Sequence, residues 1–229
     1  MSNESERVFI GNGRYALDRM LGAGGAGVVY LAFDTILGRW VAVKKTSSGD
    51  DTVSREAKVM ASFHHPNIVM LHDIIEEGDS IFFVMEFVLG QALEELAQPM
   101  TEEAFREFAT QCLLGLGSAH EKNVVHRDVK AGNIMLAPLA EGGYRVKILD
   151  FGLARFVSEL ANSGDSTALG SNTKQAPGST EAGTIMGSPD YMAPEQGLDA
   201  HAADTRADIY GMGCTLYHLL AGQMPFPEK

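Results

Sequence analysis

The spacing of hydrophobic and polar positions changes partway along the chain. Over residues 15–87, short β-branched and aromatic runs alternate with turn residues, which predicts a series of strands. The predicted strands are "YALDRML", "GVVYLAFD", "RWVAVKK", "NIVMLHDII" and "SIFFVMEFV". One helix is predicted among them, over residues 51–63, because apolar residues there share one helical face. Residues 1–14 carry no such pattern and are expected to form a loose leader.

Residues 88–229 show mainly helical spacing instead. Thr101 suits the N-cap of a helix. Five apolar residues then recur on one face of that predicted helix: Phe105, Phe108, Cys112, Leu116 and Ala119. A last helix is predicted over residues 205–221, with Asp204 as its N-cap and Gly222 after its end. Between these helices lie a predicted strand, "YRVKILDF", and a polar stretch over residues 158–183 that is predicted to be a mobile loop.

The order of these elements predicts the fold class. A strand-rich part followed by a helix-rich part indicates an α+β, bilobal chain. Its N-terminal lobe (15–87) is expected to hold an antiparallel sheet with one main helix, and its C-terminal lobe (88–229) to be mainly helical. A cofactor cleft is expected where the two lobes meet.

Composition narrows the choice of partners. The chain of 229 residues has a net charge of −12, from 18 Lys and Arg against 30 Asp and Glu, so nucleic acid is not an expected ligand. The two cysteines have no C-x-x-C spacing, so neither a disulfide framework nor a metal knuckle is indicated. The start does not look like a signal peptide and no apolar run is long enough to cross a bilayer, so we expect a cytoplasmic chain without a membrane segment.

A glycine-rich stretch, "LGAGGAGVVYLAF", offers the first candidate binding site. Gly22, Gly24 and Gly27 form a G-x-G-x-x-G pattern, but strand-forming residues follow where a dinucleotide-binding motif would open a helix. We therefore predict a hairpin whose backbone N–H groups approach phosphates without a Cβ in the way. The alternative is a flexible surface hairpin.

Lys44 in "VAVKK" offers a cation for the same site. Ala42 and Lys44 are predicted to lie on one face of a strand, opposite Val41 and Val43. A cation held in a cleft needs an anionic partner, and Glu56 on the predicted helix could supply it. The alternative for either residue alone is a solvated surface charge.

Three further short motifs follow along the chain: "HRDVKAGN" from His126 to Asn133, "DFG" from Asp150 to Gly152, and "APE" from Ala193 to Glu195. Together with the glycine loop and "VAVK", they make the chain resemble the eukaryotic-like (Hanks-type) protein kinases. The motifs "GAGGAGVVYLA" and "YMAPEQ" are similar to those of the bacterial serine/threonine branch. The resemblance runs from about Tyr15 to the C-terminus.

This resemblance implies a serine/threonine protein kinase that binds ATP and Mg²⁺ and transfers the γ-phosphoryl group to a protein hydroxyl. Asp128 would accept the hydroxyl proton, with Lys130 beside it, and Lys44 would contact phosphates and pair with Glu56. Asn133 and Asp150 would hold the metal ions. The residues expected to contact the nucleotide are Leu21, Gly22, Ala23, Gly24, Gly25, Ala26, Gly27, Val29, Ala42, Lys44, Met85, Glu86, Val88 and Met135.

The resemblance also implies an apolar spine through the active form. Met60, Leu71, His126 and Phe151 match its positions, with Asp208 as its anchor on the last helix. Plain core packing is the alternative interpretation of these residues, and the two interpretations are compatible.

Regulation is expected in the long segment over residues 150–195. Thr184 matches the family's activating phosphosite, and its phosphate is expected to pair with Arg127. Ser188 stands where the family usually has Thr and is still expected to bridge Asp128 and Lys130. Phosphorylation in trans within a homodimer is left open.

The family domain continues for several helices after the motifs matched here, and that part normally supplies an arginine that pairs with Glu195. The chain is therefore expected to be a piece of a longer gene product, with Glu195 as a buried carboxylate lacking its partner. Two alternatives to an active protein kinase follow: an inactive, pseudokinase-like fragment that binds nucleotide as a scaffold, and a small-molecule phosphotransferase of similar fold.

Overall fold

An antiparallel sheet of six strands forms the N-terminal lobe. The computed structural model describes residues 8–24, 27–47, 64–96, 100–151, 189–198 and 203–226. The strands are β1 (Phe9–Ile10), β2 (Tyr15–Gly24), β3 (Gly27–Asp34), β4 (Arg39–Ser47), β5 (Leu71–Glu77) and β6 (Ser80–Glu86). They lie in the order β1-β2-β3-β4-β6-β5, with every neighbouring pair antiparallel. The predicted N-terminal antiparallel sheet is therefore confirmed.

The two faces of this sheet bury different sets of side chains. Val41 and Val43 are fully buried in a cluster with Tyr15 and Phe82. Successive residues of a strand point to opposite faces, so Lys44 lies on the other face, directly opposite Phe83 in the register. The alternation predicted from "VAVKK" thus places the Lys44 side chain away from the valine cluster, where it is buried.

The predicted loose leader is wrong at its C-terminal end. Phe9 and Ile10 pair with Ala16 and Tyr15, and Ile10 is buried against the valine cluster. The Leu17 N–H also donates to the Val8 carbonyl. A strand of two residues is too short for its alternation to appear as a pattern in the sequence, which is why the prediction failed.

The C-terminal lobe is built on two long helices and a small sheet. Within the described residues its helices are α1 (Glu102–His120), α2 (Pro194–Leu198) and α3 (Thr205–Ala221), and its strands are β7 (Gln91–Ala92), β8 (Ile134–Pro138) and β9 (Tyr144–Ile148). The Thr101 hydroxyl accepts from Ala104 N, Asp204 caps α3, and Gly222 ends it with φ of +68°. These three helix ends confirm the predicted caps.

One core joins these elements. Phe108, Cys112 and Leu116 of α1 pack against Ile148 of β9 and Met212 of α3, all nearly fully buried. Phe105 lies at the edge of this face and stays partly exposed. The core fixes β8 and β9, and with them the loops that precede and follow these strands.

Two predicted segments lie outside the described residues: the helix over residues 51–63 and the polar stretch over residues 158–183. In the part of the chain that the structure describes, no helix has the length and apolar character needed to cross a membrane.

Candidate active site

The site forms where the sheet lobe meets the segment after β9. Lys44 reaches from the middle of β4 to Asp150, and its Nζ lies 2.8 Å from Asp150 Oδ2. The lysine side chain is 4% exposed, and the Asp150 carboxylate offsets part of the cost of burying its ammonium group. Asp150 has a positive φ of 56°, a left-handed conformation that few residues other than glycine adopt. Local strain of this kind accumulates at functional sites.

Asp128, Lys130 and Asn133 form the second part of the site. The Asn133 amide donates to the Asp128 backbone carbonyl at 2.7 Å and to Asp128 Oδ2 at 2.9 Å. Lys130 Nζ lies 2.8 Å from the same carboxylate oxygen. The Asp128 side chain keeps 20% exposure, so its carboxylate is held in place and still faces solvent. Fixed, accessible carboxylates suit proton transfer to or from a ligand.

Hydrogen bonds between Leu149 and the residues His126 and Asn133 join these two parts. The Leu149 N–H donates to the Asn133 carbonyl at 2.8 Å, and the His126 ring nitrogen Nε2 lies 2.7 Å from the Leu149 carbonyl. The His126 ring also packs on Phe151, with ring centroids 4.7 Å apart. Lys44, the Asp128–Asn133 segment and Asp150 come from three separate stretches of the sequence and are therefore linked by contacts into one site.

The backbone around Asp128 is held by a buried carboxylate on α3. Asp208 is fully buried and accepts from the N–H groups of His126 at 2.8 Å and Arg127 at 2.7 Å. Arg127 has a φ of +67°, and the strain of that conformation is offset by these hydrogen bonds. The sequence indicated Asp208 as an anchor, and the structure shows which atoms it holds.

Two further residues of this network were missed by the sequence analysis. His120, at the end of α1, places its Nε2 2.7 Å from Asp208 Oδ2. Gln196 donates to the Arg127 carbonyl at 2.9 Å. Neither has a local sequence signal, because each acts through a contact with a residue distant in sequence.

Tyr191 lies near this network, and its hydroxyl forms a hydrogen bond with the His218 ring at 3.0 Å. Burial raises the pKa of this tyrosine, which keeps its hydroxyl protonated.

The glycine stretch forms the predicted hairpin between β2 and β3. Gly22 pairs with Val29 and Gly24 with Gly27. Gly27 has a φ of +122°, and a Cβ there would overlap the Lys45 carbonyl. No atom of the described residues lies within 4 Å of a Cβ at Gly22 or Gly24, so their backbone is open to a ligand. Leu21 and Ala23 belong to the same strand, whereas Gly25 and Ala26 lie outside the described residues.

Three of the predicted adenine-contacting positions, Val29, Ala42 and Met85, lie on the Lys44 face of the sheet. Ala42 pairs with Met85 across β4 and β6, and Val29 pairs with Lys44. Met85 is buried beside Leu71 in a small cluster. Met135 lies in β8, and Val88 is half-buried after the end of β6. Glu86 was also expected to contact the nucleotide, and its carboxylate forms an ion pair with Lys147 Nζ at 2.7 Å.

The donor set of the site fits magnesium. Asn133 uses its amide nitrogen for Asp128, which leaves its amide oxygen for a ligand, and Asp150 offers carboxylate oxygens. Mg²⁺ prefers oxygen ligands and is usually held by one or two protein carboxylates together with substrate phosphates. The described residues contain no group of three or more His, Cys, Asp or Glu side chains that could hold a metal ion alone.

Four predicted residues lie outside the described residues or differ in burial from the prediction. Glu56 and Thr184 lie outside the described residues, as does Met60 of the predicted spine. Glu195 was expected to be a buried carboxylate, and this is wrong: it is exposed at the start of α2. An exposed carboxylate is solvated by water and does not need an arginine partner for its stability.

The chain is similar to several known proteins over nearly its whole length. The sequence profile of the protein kinase domain family matches residues 15–229. The chain is 34% identical over 224 residues to serine/threonine-protein kinase pkn2 of Myxococcus xanthus, covering 94% of this chain and 25% of that protein. It is 35% identical over 225 residues to PrkC of Bacillus subtilis, with 94% and 31% covered. PknA of Mycobacterium tuberculosis is 35% identical over 230 residues, with 94% and 48% covered.

A solved structure shows the same fold. Rad53 residues 1–466 in complex with AMP-PNP matches with a TM-score of 0.72 and 29% identity, covering 95% of this chain and 51% of that one. The chain belongs to the protein kinase domain family, in its bacterial serine/threonine branch. It spans between a quarter and a half of the length of these curated bacterial relatives.

Proposed function

We propose that this chain transfers the γ-phosphoryl group of ATP to serine or threonine hydroxyls of a protein substrate. One observation carries the proposal: the Lys44–Asp150 pair and the Asp128–Asn133 pair are joined by the Asn133–Leu149 hydrogen bond into one site. Phosphoryl transfer needs positioning and charge neutralisation more than covalent chemistry, and this site supplies both.

Each residue has a role that follows from its contacts. Asp128 is the base that accepts the proton of the attacking hydroxyl, and Asn133 and Lys130 hold its carboxylate in one orientation. Lys44 neutralises phosphate oxygens, for which its ammonium group must exchange part of its contact with Asp150. Asn133 and Asp150 would hold Mg²⁺, which supplies charge neutralisation on the phosphate oxygens when bound.

The hairpin and sheet complete the nucleotide site. Gly22 and Gly24 have open backbone that can approach the phosphates, and Gly27 fixes the hairpin turn. Ala42, Val29 and Met135 would form the apolar walls around the adenine ring, with Met85 at its inner end and the backbone of Glu86 to Val88 as the hinge. ATP is supported by the family and by the nucleotide analogue named for Rad53.

A transfer assay tests this function. The full chain is incubated with γ-labelled ATP, Mg²⁺ and a generic protein substrate, beside Asp128→Asn and the surface control Asp79→Asn. We expect label on serine and threonine for wild type and Asp79→Asn, and a loss of about 10²–10⁴-fold for Asp128→Asn. Nucleotide binding measured in parallel distinguishes the alternatives. Wild type that binds ATP without transferring phosphate would identify a scaffold, and transfer to small molecules alone would identify a different phosphotransferase.

We further propose that phosphorylation of Thr184 increases activity by pairing with Arg127, and that a second copy of the chain performs it. Arg127 lies next to the base and its backbone N–H is held by Asp208, so a phosphate bound by its guanidinium group would order the segment against the site. Active chain is mixed with a size-tagged Asp128→Asn chain, and peptides of the tagged chain are mapped. Phosphate on Thr184 of the inactive chain is expected. A fully active preparation without phosphate on Thr184 would contradict the regulatory role.

A further inference from the structure

A second recess opens beside Glu86, lined by residues from the segment before β5, from β5 itself and from β9. Its volume is about 340 Å³, near the lower end for small-molecule sites. His64, His65 and His72 all line it, three of the seven histidines of the chain. None of these histidines has a role in the proposed phosphotransfer. Within the described residues they do not form a metal-binding cluster, so another kind of ligand must be considered.

The charges of the recess are one ion pair. Lys147 Nζ lies 2.7 Å and 2.8 Å from the two carboxylate oxygens of Glu86. The Met70 N–H donates to the same carboxylate at 3.3 Å. The single negative charge lining the recess is therefore neutralised, while the ammonium group of Lys147 has further N–H donors than one carboxylate requires.

His65 and His72 add hydrogen-bond donors, and each has a pKa lowered below its usual value, which favours the neutral ring near neutral pH. His65 accepts from the Asn67 N–H through Nδ1 at 3.2 Å, so its neutral ring carries the proton on Nε2 and can donate there. His72 makes no hydrogen bond or ion pair with the described part of the chain. Burial, and then Lys147, lowers the pKa of His65; burial is the main cause of the lowered pKa of His72.

The remaining lining is apolar. Ile68, which is 5% exposed, and Met70 and Pro66 provide aliphatic surface next to these donors. A ligand that fits must therefore accept several hydrogen bonds at one end and bury an apolar group at the other. A cationic ligand would be repelled by the Lys147 ammonium group. The chain as a whole has a net charge of −12, so an anion must be attracted by the local donors of the recess and not by the overall charge.

We propose that this recess binds a small organic oxyanion, a carboxylate or a phosphate monoester, that carries an apolar group. The oxyanion accepts from Lys147, His65 and His72, and the apolar group lies on Ile68 and Met70. The site is separate from the Lys44–Asp150 cleft in its lining, although Glu86 belongs both to the recess and to the proposed hinge.

Three matched probes test the ligand class on the full chain. Phenylacetate, phenyl phosphate and the neutral phenylacetamide are titrated while ¹H–¹⁵N spectra of the histidine rings are recorded. We expect saturable shifts of the His72 signals with one or both anions, and binding at least about tenfold weaker for the amide, because charge-assisted hydrogen bonds are lost. The tighter of the two anions identifies the carboxylate or the phosphate as the preferred group. Equal affinity for phenylacetamide, or no saturable shift with either anion, would overturn the proposal.

Variants locate the binding. Lys147→Met and His72→Leu should each lower the affinity for the preferred anion by about tenfold. The affinity of Lys147→Arg should stay within about threefold of wild type. Lys122→Met, which removes an equal charge at the end of α1, should leave the affinity unchanged. Circular dichroism checks that each variant is folded. If Lys147→Met does not fold, His72→Leu decides, since His72 has no hydrogen-bond partner in the described residues whose loss could unfold the chain. Unchanged affinity in His72→Leu would refute the site.

Discussion

Lys44 Nζ and Asp150 Oδ2 lie 2.8 Å apart although 106 positions separate the two residues in the sequence. The lysine comes from the middle of β4, and the aspartate follows β9 in the other lobe. Because the lysine is nearly fully buried and the aspartate is 31% exposed, the pair is accessible from the aspartate side. A ligand with phosphate and metal can reach Asp150 while Lys44 keeps a fixed direction from the sheet.

The first prediction concerns Lys44 and its neighbour. Lys44→Met should lower kcat/KM for ATP by about 10²–10³-fold, because a preorganised charge on the phosphates is lost. Lys45→Met is a matched control: this lysine lies on the opposite face of β4, with its Nζ 5.7 Å from the Phe82 ring centroid, and should stay within about threefold of wild type. Steady-state kinetics with varied ATP measure both. Near-wild-type transfer by Lys44→Met would contradict its role.

The second prediction concerns Asp208 as a positioning residue. Asp208→Ala leaves the buried N–H groups of His126 and Arg127 without their acceptor, which should destabilise the fold by about 2–5 kcal/mol. Displacement of the loop before Asp128 should also reduce kcat of the folded fraction by about 10²-fold while ATP still binds. Urea unfolding and kinetics measure the two effects. Asp204→Ala, at the exposed cap of the same helix, should keep the wild-type kcat. A full kcat in Asp208→Ala would show that the loop keeps its geometry without this carboxylate.

The third prediction separates the glycines of the hairpin. Gly27→Ala forces a Cβ onto the Lys45 carbonyl at a φ of +122°, so we expect a loss of at least about 2 kcal/mol in stability and a raised KM for ATP. Gly22→Ala meets no described atom within 4 Å and should leave thermal stability near wild type. Any rise in KM for Gly22→Ala would then report on close approach of the phosphates. Equal thermal stability of the two variants would contradict the assigned role of Gly27.

The fourth prediction concerns pH and the pair of Arg14 with Asp34. Arg14 donates to the fully buried Asp34 carboxylate at 2.8 Å and 3.0 Å, and this contact holds the pKa of Asp34 below its usual value of 3.8. A depressed pKa in the folded state means that the stabilisation is present above the usual pKa of the unfolded chain and is lost as the pH falls through the folded pKa.

Asp34→Asn should therefore cost about 2–3 kcal/mol between pH 5 and pH 8, and the difference from wild type should shrink as the pH falls below about 4. Urea unfolding at several pH values measures this difference. Asp79→Asn, an exposed turn position, should follow the wild-type curve throughout. A difference for Asp34→Asn that stays constant down to pH 3 would show that its charge is not what stabilises the fold.

The sequence predicted the elements well where the physics is local. Strand alternation placed Lys44 on the correct face, and the hydroxyl, carboxylate and glycine at the helix ends gave the caps of α1 and α3. It failed at Ile10, where a two-residue strand is stabilised by its neighbours in the sheet. It also misjudged Glu195, because burial depends on what the rest of the fold places over a residue.

By itself, then, the sequence determined the order of strands and helices, the helix ends and the motif-bearing loops, since hydrophobic period and capping act within a few residues of the chain. The tertiary structure alone decided that Asp150 is the partner that Lys44 meets in the described chain, that one buried carboxylate on α3 collects the N–H groups of the loop before Asp128, and that Lys147 neutralises Glu86. Those contacts join residues about 60 to 110 positions apart, and only tertiary packing, between the lobes and within the C-terminal lobe, brings such groups within hydrogen-bond distance.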